Sequence, residues 1–248
     1  MARNAGRLLM TLRASHLLDG RSLGAAGDRL SQDLLGAVLA HQRPLDPILS
    51  EEAAEDRARL RSARVWIVDP LDGTREYSEG REEFAVHVAL CVRGAPVAGA
   101  VAIPAREELW ASDELRAARA RHSLPEAPRP AAAGGGRRLR IAVSRTRPPA
   151  QAQPLAALLG AELIALGSAG FKTAAVLRGE VDAYLHAGGQ CEWDSAAPAA
   201  VALAAGLHAS RLDGSPLRYN RPDPHLPDLL ICRAALAERL LTAIGALG

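Results

Sequence analysis

Apolar residues recur along this chain with two periods, and the change between them marks out the elements. The opening string MARNAGRLLMTLRASHLL interleaves arginines with small and apolar residues and predicts an amphipathic helix; Arg13 interrupts its short apolar stretch, which argues against a signal peptide. Residues 28–42 (DRLSQDLLGAVLAHQ) put Leu30, Leu34, Val38 and Gln42 in one row with Leu35 and Leu39 beside them. A second amphipathic helix is expected there, with Asp28 where an N-cap belongs. Between the two, HLLDGRSL carries an Asp-Gly pair between short runs and predicts a hairpin. The period then shortens. Residues 65–68 (VWIV) form an uninterrupted apolar run, a buried strand. Runs 84–92 and 96–103 are rich in β-formers and joined by Arg93-Gly94, a further hairpin, and 108–112 predicts another strand.

Residues 116–138 change character. They are rich in Ala, Arg, Pro and Gly with little to bury, and read as a mobile connection between two lobes. Beyond them strand and helix alternate: strand 139–143, helix 151–159, strand 162–165, helix from about 168, strand 181–185, helix 194–205, strand 229–232 and a final helix 234–246. That alternation is an α/β signature. The expected organisation is an α+β lobe over 1–115 that holds the chemistry of any metal, the connection 116–138, and an α/β lobe over 139–248 that holds substrate.

Composition adds limits. The chain has 248 residues, nearly half of them apolar, enough for a real core in one unit of two lobes. A net charge of +2, evenly spread, does not suggest a nucleic-acid polymer as partner. No apolar run approaches the ~20 residues of a membrane span. Cys91, Cys191 and Cys232 are odd in number without metal-type spacing, so reduced thiols and a cytoplasmic location are expected. Of 30 basic residues only Lys172 is a lysine.

Candidate chemistry begins where the run 65–68 stops, in WIVDPLDGTREY. Proline keeps the preceding Asp69 extended, and Gly73 permits a tight turn. A short loop then presents Asp69, the Leu71 carbonyl and Asp72 to one point. Oxygen ligands of this kind suit Mg²⁺, and the N–H groups of Gly73 and Thr74 suit a phosphate. A solvated Asx-rich turn is the plain alternative. An EF-hand fails on spacing, and a strand followed by D-x-D-G-T, as in haloacid-dehalogenase phosphatases, fails because two residues separate these acids.

The rest of the chain discriminates. LSEE ending at Glu52, DPLDGT starting at Asp69 and WDSAA starting at Trp193 occur in the order and spacing of the lithium-sensitive, Mg²⁺-dependent phosphomonoesterases, and the chain resembles that superfamily, which includes inositol monophosphatase and fructose-1,6-bisphosphatase. The resemblance implies a layered αβαβα sugar-phosphatase fold and two or three Mg²⁺ ions. It implies that Glu51, Asp69 and the Leu71 carbonyl hold one ion, and that Asp69, Asp72 and Asp194 hold another. Asp28, Thr74 and Glu51 would orient and deprotonate the attacking water. The family carries V-T-x-A-D before that helix and this chain has LGAAGD, so Asp28 stands equally as a helix cap. Trp193 is expected to pack beneath Asp194.

DPLDGTREY and LSEE resemble the 3′(2′),5′-bisphosphate nucleotidase branch more than inositol monophosphatases. VSRTR, with Ser144, Arg145 and Arg147, resembles a nucleotide-contacting element, and GSAGFK, with Ser168 and Lys172, resembles the segment that meets a second phosphate. The implied substrate is 3′-phosphoadenosine 5′-phosphate or its phosphosulfate analogue, in sulfur metabolism. Substrate contacts would include Leu71, Asp72, Gly73, Thr74 and Asp194, and lithium would inhibit. A broad inositol monophosphatase-like enzyme and a non-catalytic metal or nucleotide sensor are the other readings. A homodimer is the assembly left open. His87 reads as packed within its strand, and His186 as a strand-end residue or a pocket wall.

Overall fold

The N-terminal amphipathic segment forms helix α1 (Ala2–Ala14), which buries Ala2, Ala5, Gly6 and Leu9. The protein is described here as a computed structural model covering residues 1–54, 56–121 and 137–247. The expected hairpin at HLLDGRSL is absent. Its Asp-Gly pair instead starts α2 (Gly20–Gln42), with extended Asp19 as N-cap, so Asp28 lies inside this helix and caps nothing. The reason is the make-up of the buried face. Leu23, Gly24, Gly27 and Ser31 lead into Leu35 and Leu39. Small residues let α2 approach closely: a Cβ on Gly27 would lie 3.0 Å from the Tyr77 ring and 3.1 Å from Leu71 and Leu9. Glycine and serine carry no hydrophobic period, so only the second half of the helix showed in the pattern, and its leading row was displaced by one position. Leu30 is largely exposed, while Ser31, Leu35 and Leu39 point inward.

The first sheet contains β1 (Ile48–Ser50), β2 (Arg64–Asp72), β3 (Ala85–Val92), β4 (Ala95–Ile103) and β5 (Glu108–Ala111), in that spatial order. β1 runs parallel to β2 and the other pairs are antiparallel. The β3–β4 turn is Arg93-Gly94 as expected, with φ +50° and +77°, matching the twist of a two-residue hairpin. A one-turn helix, α3 (Thr74–Ser78), follows β2, and α4 (Ser112–Ala120) follows β5. The expected connection therefore starts later than 116. Its residues 122–136 lie outside the described residues.

The second half supplies β6 (Arg140–Ser144), α5 (Ala152–Leu159), β7 (Glu162–Leu166), α6 (Ala169–Leu177), β8 (Ala183–Cys191), α7 (Glu192–Ala205), β9 (His208–Ser210), β10 (His225–Cys232) and α8 (Ala237–Gly245). The strand order is β7-β6-β8-β10-β9, with β6 parallel to β7 and β8, and β10 antiparallel to β8 and β9. β9 had no hydrophobic signature. β8 runs to Cys191, well past 185, through Gly188 and Gly189 at φ +79° and +78°. Its polar HAGGQ stretch hid it from an apolar pattern.

Five layers result. α1 and α2 cover one face of the first sheet, α6 and α7 fill the space between the sheets, and α5 with α8 cover the far face of the second. Strand β2 alternates accordingly: Val65 and Ile67 face the central layer, Trp66 and Val68 face α1 and α2. The central layer fits because α7 buries alanine at 196, 197, 199, 200, 202 and 204. Against it, β4 offers Gly99, where a Cβ would lie 2.7 Å from Ala200 Cβ and 3.0 Å from the Ala197 carbonyl. No helix among the described residues is long and apolar enough to cross a membrane.

This sheet–helix spacing is tight enough to test. Ala200→Leu overpacks a fully buried position, which costs about 1–3 kcal/mol. Calorimetry should show a melting temperature lower by about 3–10 °C. An unchanged melting temperature would mean the central layer is loosely packed.

Candidate active site

The acids converge because of register. In the parallel β1–β2 pair Ser50 sits opposite Val68, so Glu51 leaves β1 beside Asp69. Along β2, two acids three residues apart would ordinarily face opposite sides. Here a bulge intervenes: Asp69 pairs with His87 and Asp72 with Ala85, so β2 spends two residues where β3 spends one. The bulge returns both carboxylates to one side. Pro70 forms part of it, and its carbonyl accepts from the buried Ser31 hydroxyl at 2.7 Å. Gly73, at φ +91°, closes the turn; a Cβ there would lie 2.8 Å from the Glu83 carbonyl. Asp194 arrives from the first turn of α7, and ligand oxygens of Asp69, Asp72 and Asp194 lie within 4.8 Å of one another.

Each of the three is pinned through one oxygen and has a second to offer. Asp69 Oδ1 accepts from Leu71 N–H at 3.0 Å, and Asp194 Oδ2 from Cys191 N–H at 2.7 Å. Asp72 Oδ2 accepts from the Ser168 hydroxyl and, at 2.8 Å, from Gly170 N–H, so the start of α6 holds it. His87 Nε2 also lies 3.2 Å from Asp72 Oδ2.

Crowding shows in the proton affinities. Burial first, then Asp72, Glu51 and Asp194, raises Asp69 well above the usual carboxylate range. Asp194 is pushed up to about 6 by burial and by Asp72. Glu51 is solvent-facing at the cavity edge, yet loss of water to its neighbours and the charges of Asp194, Asp72 and Asp28 push it up to about 7. Asp72 goes the other way. Burial raises it, but His87, Lys172 and Ser168 outweigh that and leave it lowered. Asp28, also raised to about 6 by burial and Glu52, meets the Thr74 hydroxyl at 3.2 Å, and Thr74 Oγ1 lies 3.1 Å from the Leu71 carbonyl.

Glu51, Asp69, Leu71, Asp72, Thr74 and Asp194 form one wall of a cavity of about 310 Å³. The other wall comes from the second sheet and α6: Ser144, Arg147, Ser168, Lys172, His186 and Gln190. Lys172 is buried, and burial lowers its ammonium to about 8 against the pull of Asp72, Asp194, Glu76 and Glu83. Its Nζ sits 5.0 Å from the Tyr184 ring centroid. A larger groove, about 630 Å³, is lined by Arg3, Arg7, Met10 and Pro104 and shares no lining residue with the acids.

Most of the site expected from sequence is gathered here: Glu51, Asp69, Leu71, Asp72, Gly73, Thr74, Ser144, Arg147, Ser168, Lys172 and Asp194 all line the cavity. Two residues do not. Asp28 stands behind Thr74. Arg145 turns its guanidinium to Glu83 and Glu76 and is held away from the cavity by that pairing. Sequence reasoning missed Glu76, Thr146 and Gln190 and treated His87 as packing; of its two readings of His186, strand end or pocket wall, the second agrees with the structure, in which His186 lies inside β8 and lines the cavity. Its ring nitrogens, and Gln190 Oε1, are buried without a protein partner among the described residues. The available signal was HAGGQ itself, a polar stretch continuing an apolar strand.

The residues fit a divalent cation. Buried carboxylates with raised proton affinity cost stability unless a counter-charge joins them, and hard oxygen donors match a hard cation such as Mg²⁺.

Comparison with known proteins agrees with this geometry. The profile described as "Inositol monophosphatase family" matches residues 13–247. The 3′-phosphoadenosine 5′-phosphate phosphatase of Mycobacterium bovis is 54% identical over 249 residues, covering 97% of this chain and 89% of that protein. The 3′(2′),5′-bisphosphate nucleotidase CysQ of Escherichia coli K12 is 29% identical, covering 88% and 91%. Among solved structures, CysQ from Bacteroides thetaiotaomicron superposes with a TM-score of 0.77 at 27% identity, covering 94% of each chain. The chain belongs to the inositol monophosphatase family.

Proposed function

We propose that this cavity hydrolyses the 3′-phosphate of 3′-phosphoadenosine 5′-phosphate, giving AMP and inorganic phosphate, with Mg²⁺ as the cation. The phosphosulfate analogue is a second substrate of the same form. The chain is a metal-dependent phosphomonoesterase of small phosphate esters, as the 54% identity to a phosphatase of that name supports. The observation that carries the choice of substrate is the two-pole cavity: carboxylates on one wall, a buried lysine on the other. A bisphosphate nucleotide has one phosphate to cleave and one to hold.

Glu51, Asp69, the Leu71 carbonyl, Asp72 and Asp194 are the groups that would hold the ions. Bound there, divalent cations neutralise the phosphate, acidify water and stabilise the leaving oxygen. Glu51, at the edge of the cavity beside the other acids, is the group that would take the proton of the attacking water. Thr74 Oγ1 orients that water, and Asp28 holds Thr74 in place. Asp72 stays ionised, because His87, Lys172 and Ser168 outweigh its burial and Gly170 N–H also meets its charge. The second phosphate meets Lys172, with Ser168 and Arg147 within the same cavity. In this reading the residues up to the end of α4 form the metal-holding lobe and 139–248 the substrate lobe, joined through the chain that follows α4, with Asp194 crossing over to complete the ligand set. The same reading has the enzyme act in the cytoplasm, with a homodimer as its assembly.

The decisive assay is phosphate release from 3′-phosphoadenosine 5′-phosphate, inositol 1-phosphate and fructose bisphosphate with Mg²⁺ or EDTA. Release from none would favour a sensor; preference for inositol 1-phosphate would overturn the nucleotide. Asp72→Asn and Asp194→Asn should each lower kcat about 10²-fold or more while the protein stays folded. Near-normal turnover of Asp72→Asn at saturating Mg²⁺ would contradict the ligand set.

Metal removal should show the crowding directly. Glu51, Asp194, Asp28 and Asp69 all have folded-state proton affinities above their ordinary values. Well below their ordinary values of 3.8 and 4.5 they are neutral in both states, and their cost is absent. As pH rises from there to about 6 for Asp28 and Asp194 and about 7 for Glu51, the unfolded state ionises more readily than the folded one, and stability falls; Asp69 adds to the fall in the same direction. In EDTA the melting temperature is expected to be lower at pH 8 than at pH 5, and the rise on adding Mg²⁺ larger at pH 8. The reverse order of melting temperatures would reject this account.

Lys172→Met keeps the buried stem and removes the charge. Loss of a charge-assisted phosphate contact costs about 1.5–3 kcal/mol, roughly tenfold or more in kcat/KM. The loss is expected to be about tenfold larger for the bisphosphate nucleotide than for inositol 1-phosphate, which feels only the smaller support that Lys172 gives Asp72 and Asp194. An equal loss on both substrates would assign Lys172 to the fold or the metal wall instead.

A further inference from the structure

We propose that His87 is a positioning residue for the metal-holding carboxylates: its imidazole bridges the Asp69–Asp72 bulge to the first turn of α7 and so sets the separation of Asp72 from Asp194. This rests on the metal-dependent reading above.

His87 stands on β3 directly across from Asp69 and is completely buried. Nδ1 meets the Trp193 carbonyl at 3.1 Å. A carbonyl only accepts, so Nδ1 carries a proton and donates it. The opposite ring edge, Nε2, lies 3.2 Å from Asp72 Oδ2, an ion-pair contact without hydrogen-bond alignment, and has no other polar partner among the described residues. That oxygen also receives the Ser168 hydroxyl and Gly170 N–H, so the ring joins a cluster that already fixes the carboxylate. Trp193 is the chain neighbour of Asp194. One rigid ring of fixed width therefore spans from a carboxylate on β2 to the backbone beside a carboxylate on α7. Outer groups that orient ligating carboxylates tune metal affinity in this way.

The site is shaped around the ring. A Cβ on Gly170 would overlap His87 Nε2, so α6 is bare where the imidazole passes. Valine would serve the strand position at least as well by packing, since its neighbours in AVHVALCV are all apolar. Valine reaches neither Asp72 nor the Trp193 carbonyl with a polar atom. A buried imidazole in an otherwise apolar strand is thus explained by what it touches at its two ends.

The experiment is titration calorimetry of Mn²⁺ into metal-stripped wild type, Asp194→Asn, His87→Asn and Gly170→Ala, with the melting temperature in EDTA recorded for each. His87→Asn retains a donor near the Nδ1 position and falls short of Asp72. Gly170→Ala retains the ring and the Gly170 N–H donor position and presses a methyl against Nε2, and also against Ala85 and Val101. The expected result is that wild type binds, Asp194→Asn does not, and both other variants bind about tenfold or more weakly, with EDTA melting temperatures within a few degrees of wild type. Failure of wild type to bind Mn²⁺ would overturn the metal reading itself. Binding by wild type with undiminished affinity in both His87→Asn and Gly170→Ala would overturn the bridge alone. Unfolding of both variants in EDTA would overturn it too, because the ring would then support the core and not the ligands.

Discussion

Mutual repulsion among carboxylates brought out of water at the end of β2 is the constraint around which this fold is arranged. Left to itself, such a cluster would draw in water or protons and loosen. The chain resists through fixed dipoles: Leu71 N–H on Asp69, Cys191 N–H on Asp194, and the start of α6 on Asp72. These bonds act on one oxygen of each acid. They cost nothing at the oxygens turned toward the cavity, which keep their affinity for a cation. The cluster is therefore held together and remains under electrostatic tension, a state that a dication relieves.

That constraint explains the five layers better than burial of apolar area does. Asp69 and Asp72 come from the first sheet, Asp194 from a helix that lies between the sheets, and the lysine wall from α6 in the same central layer. Both central helices begin at the site. Their alanine and glycine faces bring the two sheets close enough for groups far apart in sequence to share one cavity. Small side chains in the central layer and charge at its edge are two aspects of one design.

Helix α6 serves both poles. Gly170 in its first turn donates to Asp72, and Lys172, two residues on in the same turn, lines the same cavity. In the proposed reaction the group that recognises the second phosphate and the group that steadies a metal-holding acid thus move as one body. A shift of α6 would alter both, which couples substrate recognition to the state of the ligand set through a rigid element and not through a chain of contacts.

The sequence by itself determined the class of chemistry. The acids at 51, 69, 72 and 194, the Pro-Leu spacer and the lone lysine could be picked out from residue type and local spacing, and the fold brings them to one cavity. The long apolar runs of β2 and β3 were legible for the same kind of reason: a strand buried on both faces has a local signature. Tertiary structure decided the rest. The start of α2 was hidden because glycine and serine form its buried face, and their burial is defined only by what packs there. The second half of β8 was hidden because a strand that lines a cavity turns polar. Arg145 and Arg147 are alike in sequence, and only the placement of Glu76 and Glu83 takes the first away and leaves the second at the cavity. His87 looked like a core residue until β3, α6 and α7 met around it, because a side chain that works by joining elements distant in sequence has no meaning in any one of them.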